Sequence, residues 1–392
     1  MKPTNPVFTG MPTTVFEVMS GLAREHNAIN LGQGFPDTDG ALAVRQSAAQ
    51  ALLAGPNQYP PMMGVPELRQ AVAEANQRFY GLAVDWRSEV LVTSGATEAL
   101  ADCLFGILAP GDEVVLIEPL YDSYLPIVRQ AGATARLVRL TPPHWHLDRA
   151  ALAAAFGAKT KAIVLNSPMN PAAKVFSDEE LAAIAELCVR HDAYAICDEV
   201  YEHIAFDGRR HRPLMTFPGM RERTARIGSA GKTLSLTGWK IGYVTAAPKL
   251  LEPIAKAHQF NTFTTPPNLQ QAAAVGLRQG DDYFAGLAAD LAGKRDRLAA
   301  GLARLGFGVA ASAGTYFIVT DVTPLGLAGD DFTLCKRMTV EAGVAAIPVS
   351  AFYASAPPTN FVRFCFSKQP AVLDAALARL EAWLAKTARR VA

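Results

Sequence analysis

The sequence predicts an α/β protein in which a mostly parallel central sheet is covered by helices and joined to a smaller α+β domain. Between about residues 60 and 250, short runs rich in β-branched residues alternate with helical patterns. Such alternation favours a parallel sheet covered on both faces. The last third of the chain interleaves strands with longer helices, and 392 residues are too many for one simple core.

The predicted strands of the central sheet are short apolar runs bounded by turn residues. They cover residues 90–93, 113–118, 161–166, 193–198 and 224–229. A helix is predicted over 66–79 because Pro66 suits its first turn and Gly81 lies just beyond its end. Further helices are predicted over 96–108 and, after a capping box that joins Ser177 to Glu180, as far as residue 190.

The last third predicts the smaller domain. A long helix is predicted over 282–305, strands over 315–321, 344–347 and 361–366, and helices over 332–342 and 371–386. The first forty or so residues contain no βα unit. We therefore expect an N-terminal segment, residues 1–45, that packs with the small domain. A large domain would cover residues 46–285, and the small domain residues 286–392.

The composition excludes several classes of protein. The chain is 50% apolar and 19% charged with a net charge of +1, which gives no reason to expect nucleic acid or an anionic membrane as partner. No run is long enough for a membrane span, and the N-terminus lacks the apolar core of a signal peptide. The five scattered cysteines predict reduced, mostly buried thiols of a cytoplasmic protein. The sequence has no CxxC or HxxxH spacing, so no metal site is predicted.

Two lysines eight residues apart, Lys232 and Lys240, lie in a glycine-rich segment of few charges, residues 229–243. Lysine is almost never buried without a partner, so the pair implies a nearby anion or a lysine that is neutral. A neutral lysine amine is a nucleophile that forms Schiff bases with aldehydes. A phosphorylated aldehyde cofactor would explain both residues together.

Other unusual residues follow predicted strands, where ligands of open α/β sheets bind. The small residues 94–97 open a helix whose free N–H groups suit an anion, although small residues also simply cap helices. Tyr121 could stack on a flat ring or only pack in the core. The loop from Asn166 to Pro171 could aim amide groups at a ligand or be an ordinary Asn-Pro turn.

Two charged residues lie in strongly apolar strands. Asp198 ends its strand, where an unpaired carboxylate is costly; a protonated ring nitrogen would satisfy it, and Tyr201 could reach a ring hydroxyl. The ordinary alternative is a helix cap. Arg363 alternates with apolar residues, which suits two-point binding of a carboxylate, an internal salt bridge or an exposed edge position.

Over nearly its whole length, the chain resembles fold-type I pyridoxal-phosphate enzymes, and specifically class I aminotransferases of the kynurenine/glutamine and methionine type. The motifs that carry the resemblance occur in the family's order. They are Asn-Leu-Gly-Gln-Gly-Phe-Pro-Asp at 30–37, Asn-Gln-Tyr at 57–59, Gly-Ala-Thr at 95–97, Asn-Pro at 170–171, Asp-Glu-Val-Tyr-Glu-His at 198–203, Ser-Ala-Gly-Lys at 229–232, Thr-Gly-Trp-Lys at 237–240 and Arg-Phe-Cys-Phe at 363–366. Residues 95–99 and 343–348 make a bacterial methionine-preferring branch the closest expected likeness.

The resemblance implies roles for individual residues around pyridoxal 5′-phosphate. Lys232 would form the Schiff base with the cofactor. The cofactor phosphate would be bound by four further residues, namely Ser229, Lys240 and the backbone of Ala96 and Thr97. The ring would contact Tyr121 by stacking, Asn170 and Tyr201 through its oxygen, and Asp198 through its nitrogen.

The resemblance also implies how substrate and a second subunit are bound. Arg363 and Asn170, with the backbone of Gly34, would hold the substrate α-carboxylate. Tyr59 would reach the phosphate of the neighbouring subunit's cofactor, so that the protein would be a homodimer with shared active sites. Phe16, Tyr59 and Phe263 would make the substrate pocket apolar, although these three side chains could equally belong to the core.

One position departs from the family pattern. Where the family often has Asn-Pro-x-Gly, this chain has Ala173 in the glycine position. If that position requires a positive φ, alanine costs on the order of 1 kcal/mol. The methionine-like branch tolerates the change, so the expected function stands.

The expected function is a ping-pong transamination between an L-amino acid and a 2-oxo acid, in which the freed Lys232 amine is the general base. An apolar pocket favours methionine, phenylalanine, tyrosine, kynurenine or glutamine over aspartate. A C–S β-lyase that uses the same site is the first alternative. A binding or regulatory module that keeps the fold without catalysis is the remote one, because fold alone does not fix function.

Overall fold

The computed structural model describes residues 1–391, with side chains as far as Thr387. Its strands are β1 (Ile29–Asn30), β2 (Val90–Thr93), β3 (Glu113–Glu118), β4 (Thr134–Arg139), β5 (Thr160–Asn166), β6 (Tyr194–Asp198), β7 (Thr224–Ser229), β8 (Gly242–Thr245), β9 (Gly308–Val309), β10 (Phe317–Asp321), β11 (Val344–Ala345), β12 (Ile347–Pro348) and β13 (Phe361–Cys365). Its helices are α1 (Val15–Glu25), α2 (Leu42–Ala54), α3 (Pro66–Tyr80), α4 (Ala96–Ile107), α5 (Tyr124–Gln130), α6 (Arg149–Ala155), α7 (Asp178–Arg190), α8 (Ala230–Thr233), α9 (Pro248–Asn261), α10 (Pro267–Leu277), α11 (Asp281–Arg304), α12 (Asp331–Arg337) and α13 (Pro370–Val391).

The central sheet has seven strands in the order β2-β8-β7-β6-β5-β3-β4. Only β8 is antiparallel to its neighbours, so the predicted mostly parallel sheet is confirmed. All five strands predicted for this sheet are present. The prediction missed β4, which lies at the edge of the sheet and alternates polar with apolar residues, and β8, which lies within the glycine-rich segment.

Helices cover both faces of this sheet. Along β3, Val114 and Leu116 pack in one apolar cluster with Leu104 of α4. The alternate residues Val115 and Ile117 pack in a second cluster on the other face, which includes side chains of α7. Burial on both faces explains why the central strands are continuous apolar runs in the sequence.

The helix ends follow the predicted signals. Pro66 begins α3, and Gly81 ends it in the left-handed conformation with φ 67°. The capping box of Ser177 and Glu180 is present at the start of α7. The predicted helix 332–342 is helical throughout, although α12 gives way at its end to one turn of π-helix, Met338–Ala342.

A second, antiparallel sheet has the order β12-β13-β10-β9. The strand predicted over 344–347 is in fact two strands in different sheets. β12 joins the antiparallel sheet, whereas β11 pairs in parallel with β1, so that Ile29 lies opposite Val344. This pairing places the N-terminal segment against the C-terminal third. The boundaries near residues 45 and 285 stay predictions, and Ala392 lies outside the described residues.

All five cysteines are buried and free, as predicted. In the part of the chain that the structure describes, no helix combines the length and the apolarity that a bilayer span needs.

Candidate active site

A cavity of about 430 Å³ opens where the central strands end. Asn166 of β5 pairs with Asp198 of β6, and Ser229 of β7 pairs with Gly242 of β8, which in turn pairs with Thr93 of β2. This register aligns the strand ends at one edge of the sheet. Twelve predicted site residues line the cavity: Phe16, Gly34, Ala96, Thr97, Tyr121, Asn170, Asp198, Tyr201, Ser229, Lys232, Lys240 and Arg363.

Lys232 lies in α8, the single turn of helix that follows β7. Its Nζ donates to the hydroxyl of Tyr316 at 3.0 Å, and that hydroxyl donates to the Gly34 carbonyl oxygen at 2.7 Å. Burial lowers the pKa of Lys232 to about 8, although Cys365 and Asp198 act to raise it. The uncharged fraction of this amine near neutral pH is therefore much larger than that of an ordinary lysine.

We expect this pKa to appear directly in chemical labelling of the apoprotein. Only the uncharged amine reacts with an anhydride, and burial lowers the pKa of Lys232 to about 8. Acetylation of Lys232 by a limiting anhydride should therefore rise with pH, with a midpoint near pH 8. Peptide mass spectrometry measures the labelled fraction, with the exposed Lys249 as an internal reference. A midpoint above pH 10, where an ordinary lysine titrates, would contradict the buried environment of the amine.

Asp198 ends β6 with one carboxylate oxygen satisfied and the other not. The Tyr124 hydroxyl donates to Oδ2 at 2.6 Å, whereas Oδ1 is buried without a hydrogen-bond partner. Burial raises the pKa of Asp198, and the Tyr124 hydroxyl opposes that shift. An unsatisfied buried carboxylate oxygen is costly, and a cationic N–H donor in the cavity would satisfy it.

The other end of the cavity is suited to an anion. Gly95 precedes α4 with φ 82°, and the first N–H groups of the helix have no partner within the helix. A Cβ on Gly95 would lie 3.1 Å from Cε of Lys240, and one on Gly242 would lie 2.5 Å from the Gly95 carbonyl carbon. The two glycines thus allow Lys240 and the start of α4 to approach one another.

Arg363 lies at the centre of β13 and is 1% exposed, so the edge position considered for it is wrong. Its guanidinium donates to Oδ1 of Asn170 at 2.7 Å and to the Gly32 carbonyl oxygen at 2.6 Å, and its carbon lies 3.9 Å from the Phe317 ring centroid. Burial lowers the pKa of Arg363 to about 10. Its Nε has no hydrogen-bond partner, and the two groups to which the guanidinium donates are both uncharged. The site can therefore accept an anionic group.

The loop after β5 joins these two ends. Asn166 accepts the Asn170 N–H at 2.7 Å and donates to the Asp198 carbonyl oxygen at 2.9 Å, which fixes one strand end to the next. Ala173 has φ 54°, so the departure from the family pattern does place alanine in a left-handed conformation. The strain is about 1 kcal/mol. The Ala173 carbonyl oxygen accepts from the N–H groups of Ala313 and Gly314, which helps to hold the loop in this conformation.

Two predicted site residues do not line the cavity of this chain. Tyr59 is 85% exposed and Phe263 is 42% exposed, and their rings meet edge to face at 5.7 Å. Of the three aromatic residues expected to make the pocket apolar, only Phe16 lies in it. Tyr59 and Phe263 thus lie outside the cavity of their own chain, and their place in a pocket shared between subunits stays a prediction.

Sequence reasoning missed two tyrosines of the site. Tyr124 bonds Asp198, and Tyr316 bonds Lys232. Tyr124 opens the helix that follows Tyr121, and its place just after a strand end could have signalled it. Tyr316 had no such signal, since it precedes a strand of the other sheet and reaches the cavity only through the packing of the two sheets.

Residues 26–380 match the family model described as aminotransferase class I and II, and the chain belongs to this family. Members of the family depend on pyridoxal phosphate. The chain is thus an aminotransferase of fold type I, as its motifs predicted.

Among curated relatives, the chain is 46% identical to the probable N-succinyldiaminopimelate aminotransferase of Mycobacterium tuberculosis, over 94% of this chain and 95% of that protein. It is 39% identical to the methionine aminotransferase of Escherichia coli, over 94% and 95%. It is 38% identical to human kynurenine–oxoglutarate transaminase 3, over 95% and 89%. The solved structure of the M. tuberculosis enzyme matches with a TM-score of 0.95, covering 97% of this chain and 100% of that one.

These identities confirm the methionine and kynurenine branch and correct one detail. The methionine-preferring enzyme was expected to be the closest likeness, but the M. tuberculosis relative is more similar to this chain.

The described residues fit pyridoxal 5′-phosphate. The buried Oδ1 of Asp198 matches the protonated ring nitrogen, the Lys232 amine matches the aldehyde, and the start of α4 beside Lys240 matches the phosphate.

Proposed function

We propose that this aminotransferase moves an amino group from an apolar, aromatic or sulfur-containing L-amino acid, such as methionine, phenylalanine, kynurenine or a glutamine-like donor, to a 2-oxo acid by a ping-pong mechanism. The observation that carries the proposal is the Lys232 amine. Its pKa is lowered to about 8, and it lies in one cavity with Asp198, whose Oδ1 has no hydrogen-bond partner, and Arg363, whose Nε has none.

When bound, pyridoxal 5′-phosphate supplies an electron sink for the charge that develops at the substrate Cα. Lys232 Nζ takes the Cα proton as general base, for which a pKa near the working pH is favourable. Asp198 Oδ1 would accept the ring N–H and keep that proton in place, while the Tyr124 hydroxyl donates to the other carboxylate oxygen.

The remaining residues of the site bind and orient. The cofactor phosphate is held by charge and by N–H or O–H donors from Ser229, Lys240, Ala96 and Thr97. When the cofactor is bound, Tyr121 would stack on its ring, and Asn170 and Tyr201 would bond its ring oxygen. Arg363, with Asn170 and the Gly34 backbone, binds the substrate α-carboxylate in the two-point geometry that a guanidinium allows.

The charges of the cavity support a donor with an uncharged side chain. Its lining residues include three cations, Lys232, Lys240 and Arg363, and the roles above use all three. None of these cations is left for a second carboxylate on the donor. Phe16 and Leu100 add apolar surface to the cavity.

A second candidate donor is N-succinyldiaminopimelate, which the 46% identical M. tuberculosis relative names as substrate. That donor carries further carboxylates, so it requires cations beyond the three in the cavity of this chain. If this donor is the substrate, the site should prefer a negatively charged donor side chain, whereas the first candidate predicts an uncharged one.

The test is a half-reaction screen of the holoenzyme. Each amino acid is mixed with the enzyme without any 2-oxo acid, and conversion of the cofactor to its aminated form is followed by absorbance. Methionine, phenylalanine, kynurenine and glutamine should convert it, and aspartate should do so far more slowly. Fast conversion by N-succinyldiaminopimelate alone would favour the second candidate, and release of ammonia and pyruvate from cysteine conjugates would instead indicate a β-lyase.

We also propose that the enzyme is a homodimer with shared active sites in the cytoplasm. Tyr59 and Phe263 are exposed and lie outside the cavity of their own chain, which suits residues that serve a neighbouring subunit. Five buried, free cysteines suit a reducing compartment.

Mixing of two inactive variants tests the shared site. We expect Tyr59→Ala and Lys232→Ala subunits, once exchanged, to recover activity, because the mixed dimer contains one site with both residues intact. Activity is measured before and after subunit exchange. The matched control mixes Lys232→Ala with Asp198→Asn. Each substitution disables the site of its own chain, so the mixed dimer has no intact site and should stay inactive. Recovery in neither mixture, with exchange verified, would refute the assignment of Tyr59 to the partner's site.

A further inference from the structure

Behind the anion-binding end of the cavity, His258 of α9 is completely buried against α4. Its Nδ1 lies 2.6 Å from Oε1 of Glu98 and 3.5 Å from Oδ2 of Asp102. Its Nε2 lies 3.1 Å from the Met62 carbonyl oxygen. Both ring nitrogens therefore face oxygen atoms.

These contacts define the charge of the ring. A carbonyl oxygen only accepts hydrogen bonds, so Nε2 carries a proton and donates it to Met62. A lone pair on Nδ1 would then face two carboxylates, so a proton on Nδ1 is strongly favoured. Although burial acts to lower it, the pKa of His258 rises to about 9 through the carboxylates of Asp102 and Glu98, in agreement with this geometry. His258 is an imidazolium at neutral pH.

The same three side chains have the composition of a metal site, but their spacing excludes an ion in this arrangement. Two ligands of one zinc ion, each about 2.1 Å from the metal, lie more than about 3 Å apart. The 2.6 Å between Nδ1 of His258 and Oε1 of Glu98 is instead the distance of a charged hydrogen bond.

Glu98 connects this buried cation to the anion-binding loop, which we define as residues 94–97. While Oε1 of Glu98 contacts His258, its Oε2 accepts the backbone N–H of Ser94, the first residue of the loop. The imidazolium thus fixes the carboxylate that holds the loop. It also neutralises a negative charge in the first turn of α4, where that charge would repel a bound phosphate.

The other contacts of His258 extend to the segments that carry Tyr59 and Phe263. Met62 lies three residues after Tyr59, and the Phe263 N–H donates to the His258 carbonyl oxygen at 2.9 Å. His258 therefore links the anion-binding loop to the two segments that we assign to the partner's site.

We propose that His258 is a positioning residue for cofactor binding, whose two N–H groups hold Glu98 and Met62 and so keep the anion-binding loop in the shape that receives the cofactor phosphate. The inference rests on the phosphate position in the proposed function.

The test compares two ligands of the apoprotein, pyridoxal 5′-phosphate and pyridoxal, which differ only in the phosphate. The preference is defined as the ratio of their dissociation constants, measured by absorbance or fluorescence titration. His258→Gln removes the charge and should lower the preference about tenfold or more, as expected for a lost charged hydrogen bond. His258→Asn also removes the charge, but its shorter side chain places an amide donor near the Nδ1 position that faces Glu98, so it should retain more of the preference than His258→Gln.

Two further variants complete the design. His191→Gln is the matched control, because His191 lies at the end of α7 beside Phe156, and it should leave the preference unchanged. If His258→Gln does not fold, Glu98→Ala removes the carboxylate that holds Ser94 and should lower the preference by a similar factor. Equal weakening of both ligands, or an unchanged preference in the folded variants, would overturn the proposal. A wild-type protein without any preference for the phosphorylated ligand would instead refute the phosphate site of the proposed function.

Discussion

Replacement of Lys232 by alanine is expected to lower the rate of the first half-reaction by about 10⁴-fold, the upper range for loss of a general base. The physical reason is that the described cavity offers no second amine in the same place. Lys240 lies at the anion end beside Gly95, and the Arg363 guanidinium stays protonated with a pKa of about 10. The rate is measured in single turnover with a good amino donor, so that product release does not mask the chemical step.

The same variant should also lose its covalent bond to the cofactor. Borohydride reduction of the wild-type holoenzyme, followed by peptide mapping, should fix the cofactor on Lys232. The matched control is Lys240→Ala, which should weaken cofactor binding but leave the label on Lys232, because its substitution affects only the phosphate end. Full transaminase activity and an unchanged cofactor absorbance in Lys232→Ala would show that the assignment is wrong.

Replacement of Asp198 by asparagine should have the second largest effect. It leaves the protonated ring nitrogen without its anionic partner, and breaking a buried ion pair costs about 3–5 kcal/mol. If that cost falls on the transition state, the half-reaction slows by about 10²- to 5 × 10³-fold. Asp192→Asn, at an exposed position, should leave the rate unchanged. A wild-type rate in Asp198→Asn would contradict the pairing with the ring nitrogen.

Although Asp198→Asn should slow the reaction, it should raise the stability of the protein without cofactor. Because burial raises the pKa of Asp198 above its unfolded value, the ionised carboxylate destabilises the empty fold at pH values above the folded pKa. Asparagine removes that charge, so the apoprotein should melt at a higher temperature near pH 7.5. The gain should vanish as the pH falls towards about 4, where an unfolded aspartate is protonated. A lower melting temperature at pH 7.5 would show that the carboxylate is already stabilised without the cofactor.

The site residues at the ends of strands were the easiest to predict from the sequence. Asp198 and Ser229 end apolar runs whose boundaries the sequence predicted correctly, and parallel strands bring such ends to one edge. Antiparallel β8 was not predicted, because a glycine-rich segment has the composition of a loop. For Lys232 on α8 and Arg363 on β13, composition and alternation left several roles open, and the motifs that resemble the family chose among them.

The sequence by itself determined the layered α/β architecture, the positions of five strands of the central sheet and the residue types of the site, because burial periodicity and motif spacing are local properties. Only the tertiary structure decided which side chains become partners. Tyr124 meets Asp198 across 74 positions of the chain, Tyr316 meets Lys232 across 84, and His258 meets Glu98 across 160. Contacts at such separations depend on sheet order and helix packing, which many residues determine jointly, so no local pattern in the sequence specifies them.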